Sequence, residues 1–308
     1  MKVKLITILF ILSIKVVFSQ KAPLQSQYFF NSVALNPAFT GNEQAFSIVG
    51  SYRAQWVGFS GAPQTEFLTA HAPLKDLKSA FGIQLYGDQI GAEKNNGIFG
   101  SYSYNLKFNK NSHLVFGVAG GVNFYTSYEN TLISTDDNDN LINKSTINYI
   151  SPDFSYGMHY YTKKLFLTLS LPNFLSQSYQ NNKIRVVNDF KKYNLLFGGG
   201  YLIKFNRSKI ELKPSILFRY HYKNPLQFDV NLMAKFHKNF SFGVSYRYIE
   251  SVLILLKIGV TEQLSFMYSF GTPLTTLNKA TYGSHEISLK YNFLYKKSNV
   301  SNPRFLGW

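Results

Sequence analysis

Apolar and polar residues alternate with a period of two along most of the chain, which restricts the fold to one built from β-strands. Residues 210–222 show the pattern clearly. Their even positions carry apolar side chains such as Leu212 and Phe218, whereas their odd positions carry polar ones such as Glu211 and Lys213. Successive side chains of a strand point to opposite faces, so each such segment presents one face to an apolar environment and the other to a polar one.

Similar segments recur about fourteen times, an even number, as in single-chain outer-membrane barrels. Aromatic residues make up 17% of the chain, which fits the girdles that flank the lipid-facing band of such barrels. In lipid every backbone polar group needs a partner, so the sheet has to close. We therefore predict an all-β fold, a closed antiparallel transmembrane β-barrel, over the alternative of a soluble β-sandwich. The predicted strands span residues 46–56, 64–72, 79–89, 97–108, 113–128, 152–161, 164–172, 193–205, 210–222, 227–236, 240–248, 251–260, 264–271 and 285–293.

Short and long connections alternate between these strands. The short set comprises residues 73–78, 109–112, 162–163, 206–209, 237–239 and 261–263. The other set includes the longest connections, 129–151 and 173–192, together with 272–284. Because the short turns of outer-membrane barrels face the periplasm, this parity predicts that both termini are periplasmic and that the long loops lie outside.

The N-terminal residues have the features of a secretory signal peptide. Lys2 and Lys4 precede a short apolar core, residues 5–14, which is too brief to span a bilayer. Lys15 interrupts the apolar run and disfavours the alternative of a retained membrane helix. We expect four parts: a signal peptide at 1–19, an N-terminal periplasmic or plug segment at 20–45, the outer-membrane β-barrel at 46–293 and a periplasmic C-terminal tail at 294–308.

The chain is strongly basic, with a formal net charge of +16. Export argues against a nucleic-acid partner, so outer-membrane lipid headgroups or an acidic protein fit this charge better. Lysines solvated in turns explain it equally well. Side chains predicted to face inward, such as Arg53, Asp229 and Arg247, are of mixed sign. This favours a cross-lumen salt-bridge network over a selective ion path, with a simply solvated interior as the alternative.

Motifs for catalysis are absent from the sequence. His285-Glu286 has no second histidine four residues on, and neither a Gly-x-Ser-x-Gly elbow nor a phosphate-binding glycine loop occurs. We expect no enzymatic activity and no cofactor. With no cysteine, thiolate metal sites and disulfides are excluded. An acidic loop containing Asp136, Asp137 and Asp139 could hold Ca²⁺, but it lacks the glycine and distal glutamate of a helix-loop-helix site, and a solvated loop is the alternative.

Several short motifs occur in the order typical of one protein family. They are Gln27-Tyr28, Asn36-Pro37-Ala38-Phe39-Thr40-Gly41, Arg53-Ala54-Gln55-Trp56, Gly61-Ala62-Pro63, Gly82 with Asp88-Gln89-Ile90-Gly91, and the closing Ser284-His285-Glu286-Ile287-Ser288-Leu289. In these motifs the chain resembles the PorP/SprF proteins. The resemblance spans nearly the whole mature chain, although the strands between the motifs are generic.

The resemblance implies a non-enzymatic outer-membrane protein of the type IX secretion system, as found in Bacteroidota. It would support secretion or cell-surface anchoring of a large adhesin, and in some members gliding motility. Its implied partners are a cargo adhesin with a C-terminal sorting domain and the periplasmic secretion or motility ring components. The alternative function is a passive channel or transporter for a small solute or hydrophobic substrate.

The N-terminal motifs suggest a particular site at the barrel base. The Asn36-Pro37 pair forces a non-helical bend and Gly41 permits a positive φ, so residues 20–42 could fold back at or inside the periplasmic mouth. There we predict that residues 27–41 act as a plug or periplasmic docking element, the alternative being that they only stabilise the base. Alternation places Arg53 and Gln55 inward and Trp56 towards lipid. The candidate site residues are Gln27, Tyr28, Asn36, Pro37, Ala38, Gly41, Arg53, Gln55, Trp56, His285 and Glu286.

Overall fold

The computed structural model describes residues 25–43, 45–128, 146–180, 183–187, 193–205, 210–222, 225–236 and 239–293. The predicted signal peptide, the predicted C-terminal tail and the acidic candidate loop with Asp136, Asp137 and Asp139 lie outside these ranges. Within them, no helix is both long enough and apolar enough to span a bilayer.

Nearly all of the described chain forms antiparallel strands. They are β1 (Phe46–Ala54), β2 (Gln64–Pro73), β3 (Ser79–Ile90), β4 (Glu93–Lys107), β5 (His113–Tyr128), β6 (Thr146–Tyr161), β7 (Leu165–Leu171), β8 (Ser176–Gln180), β9 (Lys183–Val187), β10 (Asn194–Tyr201), β11 (Ile203–Phe205), β12 (Ile210–His221), β13 (Gln227–Phe236), β14 (Phe240–Arg247), β15 (Ser251–Gly259), β16 (Leu264–Pro273) and β17 (Ser284–Phe293).

The sheet closes on itself into a barrel. Strands that are neighbours in sequence pair with each other, and β1 pairs with the last strand, β17, from Phe46 opposite Phe293 to Ala54 opposite His285. On the far side β10 pairs with both β7 and β12. The short β11 continues β10 against β12 in the same register. The ring therefore has 14 strands, β1–β7, β10 and β12–β17, which confirms the predicted antiparallel barrel.

The two faces of the sheet have opposite character. In β14, Ser241, Ser245 and Arg247 face the interior and are buried, whereas Phe242 and Val244 face outward and are 37% and 39% exposed. Apolar side chains on the outer face and polar ones inside are the reverse of a soluble protein and fit a lipid-facing band. The ladder pairs the backbone groups that lipid could not satisfy.

Several strand boundaries differ from the sequence-based expectation. β1 ends at Ala54, two residues earlier than predicted, whereas β4 begins at Glu93, four residues earlier, and β6 begins at Thr146, six residues earlier. The connection predicted as a loop at 173–192 contains a two-stranded hairpin, β8–β9, that pairs only with itself. The short turns after β2, β4 and β6 lie at one end of the barrel, and the connection containing this hairpin lies at the other.

Candidate functional site

Residues 25–43, here called the lumenal segment, lie inside the barrel before the first strand begins. The segment contains two short 3-10 helices, Ser32–Ala34 and Pro37–Phe39. Its polar side chains are as deeply buried as its apolar ones: Gln27 is 1% exposed and Asn36 is fully buried. Burial of polar groups is costly unless they are hydrogen-bonded, so the contacts of this segment with the wall decide whether it can stay there.

The lumenal segment runs along the barrel from one end of β17 towards the other. The Ser26 backbone N–H donates a 2.7 Å hydrogen bond to Glu286 Oε2. At the other end of the segment, the Glu43 carboxylate pairs with the Lys290 ammonium. Burial raises the pKa of the Glu43 carboxyl, but the Lys290 charge outweighs this and lowers it below its ordinary value. The carboxylate is therefore ionised, and the pair fixes the segment to the last strand just before β1.

Gln27 and Tyr28 bind the segment to the β13–β17 side of the wall. Gln27 Nε2 donates to the Glu286 carbonyl oxygen at 2.7 Å, and Ser288 Oγ donates to Gln27 Oε1 at 2.6 Å. The Tyr28 hydroxyl donates to Asn231 Oδ1 at 3.2 Å. Burial, together with the negative charge of Asp229, raises the pKa of Tyr28 well above its ordinary value. The hydroxyl thus keeps the proton that this hydrogen bond needs.

Asn36 holds the segment to the opposite wall. Its Nδ2 donates to Thr168 Oγ1 at 2.8 Å and to the Leu169 carbonyl oxygen at 3.0 Å, both on β7. Its Oδ1 accepts from the Ala38 N–H at 2.8 Å and so caps the second 3-10 helix. Asn36 is extended, at φ −153° and ψ 119°, as a residue before proline is expected to be.

Two wall glycines make room for this turn. Gly117 of β5 and Gly157 of β6 lie opposite each other in the ladder. A Cβ on Gly157 would overlap Asn36 Oδ1, and a Cβ on Gly117 would overlap the Ala38 backbone nitrogen. Only glycine allows this close approach of the segment to the wall.

The end of the motif is fixed by Thr40 and Gly41. Thr40 Oγ1 donates to Ser101 Oγ at 2.9 Å, and Ser103 Oγ donates to the Thr40 carbonyl oxygen at 2.6 Å. The Gly41 N–H donates to His71 Nδ1 at 3.1 Å. Gly41 has φ +72°, and a Cβ there would overlap that of Ala80, so both its backbone angle and its surroundings require glycine.

Apolar packing also binds the lumenal segment to the wall. Tyr28, Phe29 and Phe30 join a cluster of buried wall residues that comprises Val49, Leu196, Leu202, Leu217, Met233, Leu253, Leu255 and Met267. These wall residues are exceptions to the polar interior, and they lie where the three aromatic side chains of the segment pack. Burial of a large aromatic side chain stabilises by about 1.5–3 kcal/mol.

Charged side chains form a network beside the start of the lumenal segment. Asp229 pairs with Arg219 at 2.7 Å and with Arg247 at 3.3 Å, and Arg247 also pairs with Glu250 at 3.1 Å. Burial raises the pKa of the Glu250 carboxyl, but Arg247 and Arg219 outweigh this and lower it. The Asp229 pairs join the adjacent strands β12, β13 and β14. The salt bridges therefore run along the wall rather than across the lumen.

Sequence comparison identifies the family. A family model described as type IX secretion system membrane protein PorP/SprF matches residues 17–291. The chain belongs to the PorP/SprF family. The predicted resemblance is thereby confirmed. Membership of this family implies that the protein takes part in type IX secretion, and its fold is that of an outer-membrane β-barrel. Both family and fold point to a structural or secretion component rather than an enzyme.

The fold is shared with a solved structure at low sequence identity. The CymD monoaromatic hydrocarbon channel is 11% identical, with 91% of this chain and 96% of that chain covered and a TM-score of 0.52. The outer membrane protein Omp33 of Acinetobacter baumannii is 9% identical, with 82% and 100% covered and a TM-score of 0.47. No curated protein matches the sequence significantly.

The PorP/SprF motifs do not all meet at one place. Gln27, Tyr28, Asn36, Pro37, Ala38 and Gly41 belong to the lumenal segment, and Glu286 contacts it directly. Arg53 faces inward, with its Nε 4.0 Å from Glu286 Oε2. His285 instead faces outward and makes a 2.8 Å hydrogen bond with the Tyr268 hydroxyl.

Gln55 and Trp56 lie beyond the end of β1, so alternation does not assign them a face. Gln55 lines a cleft at the barrel rim beside Gln64 and Gln89. Trp56 has a positive φ of 50°, and its backbone N–H donates to Ser284 Oγ at 3.2 Å. The structure therefore separates these two residues from the lumenal segment.

Sequence reasoning missed the wall residues that receive the segment. Gly117, Gly157, Ser101 and Thr168 all face inward, and none belongs to a recognised motif. One signal was available in the sequence: many inward residues on β4–β6 are small, whereas a water-filled lumen would accept larger polar side chains. Small residues there indicate that another part of the chain packs against the wall. Among the described residues, no group of three or more His, Asp or Glu side chains is placed to hold a metal ion.

Proposed function

We propose that this protein is a non-enzymatic, plugged barrel of the type IX secretion and gliding machinery. It supports secretion or cell-surface anchoring of a large adhesin-type cargo. Family membership supports the link to type IX secretion. The occupied lumen carries the rest of the proposal, because a segment bound to both sides of the wall leaves no wide path for a passive pore.

The contacts of the lumenal segment support a role as plug or docking element. Gln27 binds β17, Asn36 binds β7 and Thr40 binds β4, so hydrogen bonds join the segment to separate parts of the ring. A segment needed only to stabilise the barrel base would not have to reach these positions. The proposed partners are a cargo with a C-terminal sorting domain and the periplasmic ring components.

The competing function is a passive channel for a small solute or a hydrophobic substrate. This alternative is supported only by similarity of fold, since the CymD channel is a similar barrel at 11% sequence identity. A channel of this kind predicts steady conductance or substrate uptake by the intact protein. The occupied lumen predicts neither.

Removal of the gene from its native host is expected to abolish surface display of one large adhesin-type protein. Other type IX cargo should remain at the cell surface, because the proposal gives this barrel an accessory role for one cargo and no part in general translocation. Surface-shaving proteomics of the deletion strain, with the reintroduced gene as control, measures this directly. Equal loss of all cargo would assign the protein to general translocation instead, and an unchanged surface proteome would end the proposal.

Orientation can be tested with single cysteines, because the chain has none of its own. We propose that the β1–β2 connection lies outside and the β4–β5 turn lies in the periplasm. In intact cells a membrane-impermeant maleimide should label Ser60→Cys but not Lys110→Cys, both positions being exposed. Lys110→Cys should react only after the outer membrane is permeabilised. The reverse labelling would invert the proposed topology.

A further inference from the structure

A cavity lies between the lumenal segment and the wall formed by β6, β7, β10, β12 and β13. On one side it is lined by the lumenal segment, including Phe29, Leu35 and Phe39. On the other side it is lined by wall residues that include His159, Lys213 and Ser215. We propose that this cavity binds an amphiphile that has an alkyl chain and a carboxylate head group. The inference goes beyond the proposed secretion role.

The lining of the cavity indicates a ligand with an apolar part. The cavity contains about 620 Å³ of empty space, part of it open to solvent, and its lining includes Phe29, Leu35, Phe39 and Phe166. An alkyl chain can pack against such side chains.

Two polar side chains of the cavity wall lie near one aromatic ring. The Lys213 ammonium lies 4.8 Å from the centroid of the Phe166 ring, and the His159 ring centroid lies 6.1 Å from the same point. Ser215 is two residues along β12 from Lys213 and therefore faces the same side. A cation, an imidazole and a hydroxyl thus line the wall side of the cavity, opposite Phe29, Leu35 and Phe39. Such a combination of polar and apolar groups is usual in a ligand pocket.

Two of these groups have buried atoms without a hydrogen-bond partner. His159 is 4% exposed, and its Nδ1 has none within the protein. The Ser215 hydroxyl is buried and equally without one. Buried polar atoms are nearly always hydrogen-bonded in folded proteins, so unsatisfied atoms that line a cavity point to a missing ligand. A carboxylate supplies the acceptors that the Ser215 hydroxyl and the Lys213 ammonium can each use.

The rest of the ligand would lie along the lumenal segment. Phe29, Leu35 and Phe39 provide an apolar path on that side, and burial of each methylene contributes to binding. Because the ligand would touch both the segment and the wall, its binding should stabilise the native arrangement in proportion to its occupancy.

Binding can be measured with radiolabelled decanoate and decanol on the full mature protein in lipid nanodiscs, with empty discs as blank. The intact protein should bind decanoate saturably and more tightly than decanol. Lys213→Met keeps the side-chain length but removes the charge. It should weaken decanoate binding about tenfold or more, as expected for the loss of a charge-assisted hydrogen bond, and leave decanol within about twofold.

Two further variants separate the cavity from general effects. Lys257→Met is the matched control, since Lys257 is also an inward lysine near an aromatic ring, at 5.9 Å from the Phe30 centroid, but does not line the cavity. It should bind both ligands like the intact protein. Ser215→Leu fills the cavity and should weaken both ligands. Folding of each variant is checked by its heat-dependent gel mobility. Absence of saturable decanoate binding by the intact protein, or equal loss in Lys213→Met and Lys257→Met, would overturn the proposal.

Discussion

Removal of residues 27–41 is expected to leave a closed barrel that conducts ions and no longer displays its cargo. The ring is held by strand pairing, including nine residue pairs between β1 and β17, and none of these pairs involves the lumenal segment. Without the segment, the polar inward side chains of β4–β6 would face water instead. The interior of a ring of 14 strands is then wide enough to hydrate.

Planar-bilayer recording should show a steady current for the deletion variant and none for the intact protein. Heat-dependent gel mobility should show that the variant still folds as a barrel, and surface labelling of the cargo should show the loss of display. If the variant fails to assemble, the segment is needed for folding and its docking role loses support. If it assembles, stays closed and still displays cargo, the plug role is wrong.

Gly157→Ala is expected to loosen the lumenal segment, because the added Cβ overlaps Asn36 Oδ1. Overpacking of a well-packed interior costs about 1–3 kcal/mol. Gly100→Ala is the matched control: Gly100 also lies within a strand, but a Cβ there has no atom within 4 Å. The free energy of unfolding in denaturant should fall for Gly157→Ala and stay nearly unchanged for Gly100→Ala.

Release of the segment can be followed by chymotrypsin. Residues 25–43 contain no lysine or arginine, but Tyr28, Phe29 and Phe30 are suitable cleavage sites that are buried in the folded protein. Gly157→Ala should be cut there faster than Gly100→Ala. Equal cleavage rates would show that the wall adapts to the extra methyl group. The close approach at Gly157 would then not be needed to keep the segment in place.

The barrel was predictable because a strand in lipid has to alternate. Each of the fourteen predicted strands corresponds to a strand of the ring, since an outward polar residue or an unpaired backbone group would be costly at every position. The β8–β9 hairpin was not predictable in this way. It pairs only with itself and lies outside the ring, so the lipid imposes no alternation on it.

The candidate site was only partly predictable. Proline restricts the backbone of the residue before it and glycine allows a positive φ, so the bend at Asn36-Pro37 and the positive φ at Gly41 could be expected from sequence. The receiving residues Gly117 and Gly157 could not, because a glycine in a strand is equally consistent with a bend or a close contact. Charge pairing was similarly ambiguous: residue type indicated mixed signs, but only strand register places Asp229 beside Arg247.

The contact between Ser26 and Glu286 joins residues 260 positions apart, and the pair of Glu43 and Lys290 joins residues 247 apart. Both bring the earliest described part of the chain onto its last strand. Such contacts are slow to form, because nearly the whole chain has to be ordered before they can be made. They can therefore be completed only when β17 has taken its place beside β1. A lumenal segment bound in its native position therefore indicates that assembly is complete. In a barrel whose β1 and β17 have not yet paired, the segment would be bound only weakly.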